Sequence, residues 1–400
     1  MTKLTAAVAT TATHLPSLLT VTREGMDALV VGLGEPRYRA AQLWRAIYHE
    51  AAPSIEAMTT LSKDFRARLQ ESYSLDPLTP VTVLRSKDGS TTKALFRLAD
   101  GELIETVLMR YEPDGHRKRR RTVCISTQAG CALGCTFCAT GQQGFTRQLS
   151  VAEIVGQVLW MSRIAKADDL KLIESGQITR GEAAGVTNVV YMGMGEPFAN
   201  YANTIASIHV LNDSQGLNIG ARHITVSTVG LVPQILKFAD EPFQANLAIS
   251  LHAPDDRTRS ETMPINQRYP IAMLLDACRR YVEKTNRRVF FEYVLLAGQN
   301  DSTDHAHRLG ALLKGMLCHV NLIPVNPTQD GPYRRPDGVH SEAFQAALLV
   351  YGVPSTVRME KGIDINAGCG QLRARSLAGD TDESVDDVLS APSAVSTSTA

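Results

Sequence analysis

At 400 residues the chain exceeds one ordinary domain and matches a large α/β barrel with a smaller attachment. Its 44% hydrophobic and 20% charged residues, with no apolar run long enough to span a bilayer, describe a soluble globular protein and exclude a membrane-spanning one. The formal net charge of zero hides a division: five acids and no Lys or Arg follow Gly379, which leaves 41 basic against 36 acidic residues in the rest, a mildly basic body.

The opening "MTKLTAAVATTATHLPSLLT" never develops the apolar centre of a signal peptide, so residues 1–15 read as a loose tail and a cytoplasmic address is expected. Seven cysteines, an odd number and partly clustered, are unlike the paired framework of a small secreted domain and suit metal or redox chemistry better. Residues 16–80 carry short helical patterns. "EPRYRAAQLWRAIYHEA" sets Pro36 in a first turn and Leu43, Trp44 and Ile47 on one side, and "LSKDFRARLQESY" follows, so a small helical module is expected. Residues 81–111 alternate or run apolar around "SKDGST" and "LADGELIETVLM", which suggests a short antiparallel sheet with Asp-Gly turns. "RKRRR", Arg117 to Arg121, then packs five cations before the cysteine region, as a solvated surface loop or as a phosphate contact.

Beyond residue 120 the pattern repeats as strand, loop and helix. The candidate strands are "TVCIST" (122–127), "TNVVYM" (187–192), "HITVST" (223–228), "ANLAISL" (245–251), "VFFEYVLL" (289–296) and "HVNLIPV" (319–325). Most are continuous apolar runs, as in parallel strands buried on both faces. Ser150 and Glu153 form a capping box, with Leu149 and Ile154 as its hydrophobic staple, before the helix "IVGQVLWMSRI". The segment 165–185 reads as a surface insertion, and "IAMLLDACRRYVEK" lines Ile271, Leu274, Leu275, Cys278 and Val282 along one helix face. Six such units predict a partial parallel (β/α)6 barrel with its chemistry at the carboxyl ends of the strands. The acidic Ser/Thr-rich end, 378–400, lacks aromatic anchors and is expected to be disordered.

Four of the seven cysteines fall within "CISTQAGCALGCTFCATG", residues 124–141. Cys131, Cys135 and Cys138 stand just beyond the first strand, where a barrel keeps its active site. A structural zinc site wants four protein ligands in separated pairs, and no second CxxC or HxxxH partner is present. An iron–sulfur cluster held by three cysteines leaves one iron open to a ligand that is not protein. Other strand ends are also polar. "YMGMGEP" offers Gly193, Gly195 and Glu196; Ser227 ends the third strand; Ser250 and His252 in "SLHAP" end the fourth; Asn326 in "IPVNP" ends the sixth. Glycines admit close backbone approach and Glu196 suits an ammonium. Each polar residue alone is a common turn former, and only their joint placement points to a site.

The CxxxCxxC spacing with Phe137 before the last Cys resembles the radical S-adenosylmethionine (SAM) superfamily. Together, "CISTQAGCALGCTFCATGQQGFTRQL", "GMGEP", "ITVSTVG", "SLHAP", "IPVNP" and "NAGCGQL" resemble the RlmN-type ribosomal RNA adenine C2-methyltransferases, from about residue 35 to 377. "TGQQGF" is more similar to RlmN than to its Cfr relative, which targets carbon 8. The departures are the insertion around 166–185, "RKRRR" and both tails, and none touches a motif.

The resemblance implies an α/β fold: a partial (β/α)6 TIM-like radical SAM barrel (121–377) with a small N-terminal helical accessory domain (16–80) that grips RNA and linking antiparallel strands (81–120). It implies a [4Fe-4S] cluster on Cys131, Cys135 and Cys138, with the fourth iron open to SAM, which is used twice per turnover. Gly195, Glu196, Ser227, Ser250, Leu251, His252 and Asn326 would bind SAM. Carbon 2 of adenine is electron-poor, so the family places a methyl on a cysteine and makes it a carbon radical that adds to the ring. Cys369 would carry that methyl, Cys124 would resolve the adduct through a transient disulfide, and Glu105 would accept the proton. Cys278 and Cys318 are then small core residues. The implied partners are 23S rRNA and tRNA, with an external electron donor such as flavodoxin, no membrane and a monomeric state. A Cfr-like carbon 8 methyltransferase and a non-catalytic zinc RNA-binding protein are the alternatives.

Overall fold

The computed structural model describes residues 15–115, 118–183, 185–326, 332–358, 361–365 and 370–377. Both tails and Cys369 lie outside the described residues. The chain begins with helices α1 (Gly25–Gly32), α2 (Arg39–Trp44) and α3 (Lys63–Ser72), and α2 runs on into a π-helical turn, Arg45–His49. Leu43, Trp44, Ile47, Tyr48, Phe65 and Leu69 are buried together, as the 3.6-residue spacing predicts. Pro36 sits one turn earlier than expected: its carbonyl accepts from Arg39 N, and α2 begins only there.

Ten strands form one sheet, in the order β1 (Thr79–Arg85), β2 (Thr91–Arg97), β3 (Leu103–Tyr111), β4 (Arg120–Cys124), β7 (Asn188–Tyr191), β8 (Ile224–Thr228), β9 (Asn246–Ser250), β10 (Val289–Leu295), β11 (Cys318–Pro324) and β12 (Ser355–Val357). The antiparallel strands therefore do not form a separate sheet. β3 pairs with β4, Val107 opposite Cys124, and from β4 onward every pairing is parallel. The Asp-Gly turns are present, with Gly89 and Gly101 at positive φ. A seventh parallel strand, β12, is only three residues long, too short to leave a pattern in the sequence. A separate hairpin, β5 (Gln128–Gly130) and β6 (Phe145–Gln148), brackets the cysteine triplet and the short α4 (Ala139–Gln142).

Helix α5 (Val151–Glu174) starts at the predicted capping box: Ser150 N donates to Glu153 Oε2 at 2.8 Å and Glu153 N to Ser150 Oγ at 3.3 Å. It continues through much of the expected insertion. Asp168 and Asp169 are buried there, Asp168 against Arg85 and Arg110 and Asp169 against Arg121. Charge pairing with strands over 40 residues away turns what reads locally as a polar loop into packed helix. The remaining helices are α6 (Tyr201–Asn212), α7 (Val232–Phe238), α8 (Asp256–Thr262), α9 (Ile271–Thr285), α10 (Thr303–Leu313), α11 (Gly338–Leu349) and α12 (Gln371–Leu377). One apolar core runs from Leu43 and Phe65 through α5 to the strands of the sheet. Among the described residues no helix is long and apolar enough to cross a membrane.

Candidate active site at the strand ends

The cysteine loop is pinched at its base. Cys131 N donates to Gly144 O at 2.6 Å, and Gly130 has φ +80 with Gly144 directly against it, so a side chain there would break the hairpin. Cys138 N donates to Cys135 O, and Thr136 N donates to Thr262 O at the end of α8, which ties the loop to the barrel. Cys131, Cys135, Cys138 and Phe137 line one cavity with Gly195, Glu196, Ser250 and His252. A neighbouring cavity of about 170 Å³ shares Gly193, Gly195, Glu196 and Ser250 and adds Ser227 and Glu292. The two form a path from the thiols to the ends of β7, β8, β9 and β10.

Burial pushes the Cys131 thiol up to about 11, and burial with the charges of Cys138 and Cys131 pushes Cys135 up to about 12. Such a group of thiols ionises when a cation arrives. Cys131, Cys135 and Cys138 bring three thiols to one cavity, a donor set that fits an iron–sulfur cluster with its fourth iron left to a ligand that is not protein.

Glu196 is buried and held from both sides: Oε1 accepts from Phe198 N at 2.9 Å and Oε2 from Val229 N at 2.9 Å. Desolvation still dominates and raises its pKa to about 7. Gly195, at φ +94, lies so close to Gln128 that a Cβ would sit 2.8 Å from Gln128 N. His252 adopts φ +60, its Nδ1 accepts from Val294 N, and its ring meets Phe137 edge to face at 4.9 Å. Burial lowers its pKa to about 3, so the ring is neutral and props Phe137. Leu251 is wholly buried, its N–H donating to Glu292 O and its carbonyl accepting from Arg259. Asn326 is half-buried at the end of β11 and lines neither cavity.

Glu105 is buried on β3. One oxygen accepts from Arg373 N at 2.6 Å and the other from Gly370 N at 2.7 Å, while Lys93 Nζ stands 2.9 Å away. The acid thus caps α12 at the residue after Cys369. Gly370, at φ +76, is seated on Thr140 of the cysteine loop; a Cβ there would lie 2.7 Å from Thr140 N. Cys124 ends β4 half-exposed as a residue, but its sulfur is deep enough that burial raises the thiol to about 11 against the lowering effect of Arg358 and Lys93. Cys278 and Cys318 lie in the core as expected.

The sequence reading passed over Lys93, Arg259, Arg373 and Glu292. Glu292, an acid inside the apolar run "VFFEYVLL", was the one with a visible signal: it accepts from Asn321 Nδ2 at 2.8 Å, and burial raises its pKa. The basic stretch divides. Arg121 is buried and holds α5, Arg119 pairs with Glu112, and Arg120 stacks 4.1 Å over Tyr111, so only part of it is solvated; Arg117 lies outside the described residues.

Residues 125–309 match the radical SAM superfamily, and residues 17–75 match the N-terminal domain of ribosomal RNA large subunit methyltransferases. The chain is 48% identical to dual-specificity RNA methyltransferase RlmN 1 of Myxococcus xanthus, over 90% of this chain and 94% of that one. It is 46% identical to the probable dual-specificity RNA methyltransferase RlmN of Roseiflexus castenholzii, over 92% and 98%. The crystal structure of a radical SAM methyltransferase from Sphaerobacter thermophilus superposes with TM-score 0.81 at 48% identity, covering 89% of this chain and 98% of that one.

Proposed function

The chain belongs to the RlmN family of radical SAM RNA methyltransferases, which use a [4Fe-4S] cluster and SAM, and we propose that it methylates carbon 2 of adenosine in 23S rRNA and in tRNA. The observation that carries this reading is the seat of Gly370, wedged between the carboxylate of Glu105 and Thr140 of the cysteine loop, which brings the residue after Cys369 to the acid and to that loop.

When bound, the cluster and SAM supply one-electron cleavage of a sulfonium to a carbon radical. Cys131, Cys135 and Cys138 would hold three of its irons. Glu196 would take the ammonium of SAM, beside the backbone of Gly193 and Gly195, with Ser227, Ser250 and His252 lining the same path; Leu251, buried behind it, and Asn326, past the end of β11, are assigned to SAM by resemblance and line neither cavity. Cys369 carries the methyl group; once its carbon radical has added to ring carbon 2, Glu105 accepts the proton that leaves that carbon and the electron left over returns to the one-electron relay that made the radical. Cys124 then attacks the Cys369 sulfur as a thiolate. The S–S bond forms as the S–C bond breaks, and the electron pair stays on the released base, where a proton completes the methyl group. Lys93 and Arg358 supply the positive charge that favours this thiolate.

We further infer a cytoplasmic monomer served by a flavodoxin-type donor. RNA is a cytoplasmic substrate, and the exposed large apolar side chains are dispersed, from Val31 in α1 to Leu170 in α5 and Leu349 in α11. The test is anaerobic reconstitution with iron and sulfide, then reaction with reductant, methyl-labelled SAM and RNA. Label in 2-methyladenosine supports the reading. Label only in 8-methyladenosine, or none in a preparation that contains iron and cleaves SAM, overturns it.

A further inference from the structure

Arg259 in α8 is a guanidinium with no exposed surface. Its Nε donates to Leu251 O at 3.1 Å, its Nη1 to Asn266 Oδ1 at 2.9 Å and Tyr269 O at 3.3 Å, and its Nη2 to Val229 O at 2.7 Å and Ser250 O at 3.2 Å. All these acceptors are neutral. Among the described residues no carboxylate pairs with it, and the nearby Asp256 accepts instead from Asn266 Nδ2 and Ile271 N. Buried cations are ordinarily paired, because leaving water without an opposite charge is costly. Among the described residues this one has no carboxylate within ion-pair distance, and Asp256 acts on it only from farther off.

The anion it faces lies across the cavity wall. Val229 and Ser250, whose carbonyls it grips, line the cavity of Cys131, Cys135 and Cys138. Met263 lines it as well, and Thr262 O, three residues past Arg259, accepts from Thr136 N within the cysteine loop. Burial lowers the Arg259 pKa to about 10, and Cys135 is the foremost group acting to raise it again.

We propose that Arg259 is the fixed counter-charge of the iron–sulfur cluster and sets its reduction potential. The inference rests on the reading that the three thiolates hold that cluster. Reduction adds one electron and no proton, supplied by a low-potential one-electron donor. A cation behind a wall of low dielectric favours the more negative state, so Arg259 moves the potential in the positive direction. Its hydrogen bonds keep the charge from turning away, and it acts by charge rather than by contact with substrate.

The experiment is a spectroelectrochemical titration of the anaerobically reconstituted full chain, wild type, Arg259→Lys and Arg259→Met, each with its iron and sulfide content measured first. Iron in the wild type tests the cluster reading separately. The expected result is a midpoint shifted to more negative potential in Arg259→Met and restored towards wild type in Arg259→Lys. Loss of the cluster from Arg259→Met but not from Arg259→Lys also supports the proposal. An unchanged midpoint in an iron-replete Arg259→Met overturns it. Equal loss of cluster or fold in both variants overturns it too, because only the geometry of the guanidinium would then matter.

Discussion

The ammonium of Lys93 lies 2.9 Å from a carboxylate oxygen of Glu105, and neither side chain is more than 2% exposed. Glu105 stands opposite Leu95 across β2 and β3, so Lys93 is its diagonal neighbour on the same face. Removing one member of a buried pair strands the other. Lys93→Met is expected to cost about 3 kcal/mol in denaturant unfolding, the lower end for such a break because Gly370 N and Arg373 N still serve the acid. A loss under about 1 kcal/mol would mean the pair contributes nothing net.

Gly370→Ala adds a methyl group against Thr140 and places a non-glycine residue at φ +76. The strain is about 1–3 kcal/mol, and the strain is relieved if the turn lifts off the cysteine loop. Methyl transfer should fall by roughly 100-fold, the scale of about 1 Å of misplacement at a reacting centre, while bound iron stays at the wild-type level. Iron analysis beside nucleoside analysis checks both halves, and wild-type turnover in this variant would remove the seat from the mechanism.

Glu196 gives a pH signature. Its pKa is about 7 in the fold against 4.5 unperturbed, so the folded chain holds the proton more tightly than the unfolded chain. Its contribution to stability is complete below about pH 4.5, declines as pH rises, and is gone above about pH 7, a span worth roughly 3 kcal/mol. Iron-free protein should therefore lose stability across this window relative to Glu196→Gln, as equilibrium unfolding at several pH values would measure. SAM affinity in the reconstituted protein should run the other way, strengthening as the carboxylate ionises. Parallel stability curves for the two proteins would dispose of the assigned burial.

Cys124→Ala is expected to leave RNA joined covalently to protein, visible as a denaturation-resistant band. Free methylated RNA at normal yield would take the resolving role from Cys124. In the resting wild type, burial holds this thiol near 11, so its alkylation should be slow at pH 8 and rise roughly tenfold per pH unit towards that value. Peptide mapping of the alkylated holoprotein reads the rate at this position.

Apolar runs such as "ANLAISL" identify β9, the Ser150 and Glu153 box starts α5, and the triplet Cys131, Cys135 and Cys138 announces the site, because each is a local pattern with one physical solution. Long-range pairing left no such trace. The burial of Asp168 and Asp169 depends on Arg85, Arg110 and Arg121 from three strands, and the Lys93–Glu105 pair depends on the register of β2 with β3. Likewise, Arg259 reads as one more basic residue in "DDRTRSE" until its carbonyl acceptors, just past β8 and at the end of β9, are assembled around it.

Helix α5 is fastened at both flanks. Gly156 lies against Pro77 and Leu78, Arg163 binds Asp76 and Ala51 O, and Lys166 donates to His49 O and Glu50 O. The amino-terminal helices therefore cannot be trimmed away as an optional appendage. A chain cut to begin at residue 121 would bare the greasy flank of α5 and orphan two of its cations, and would be expected to precipitate rather than survive as a minimal catalyst.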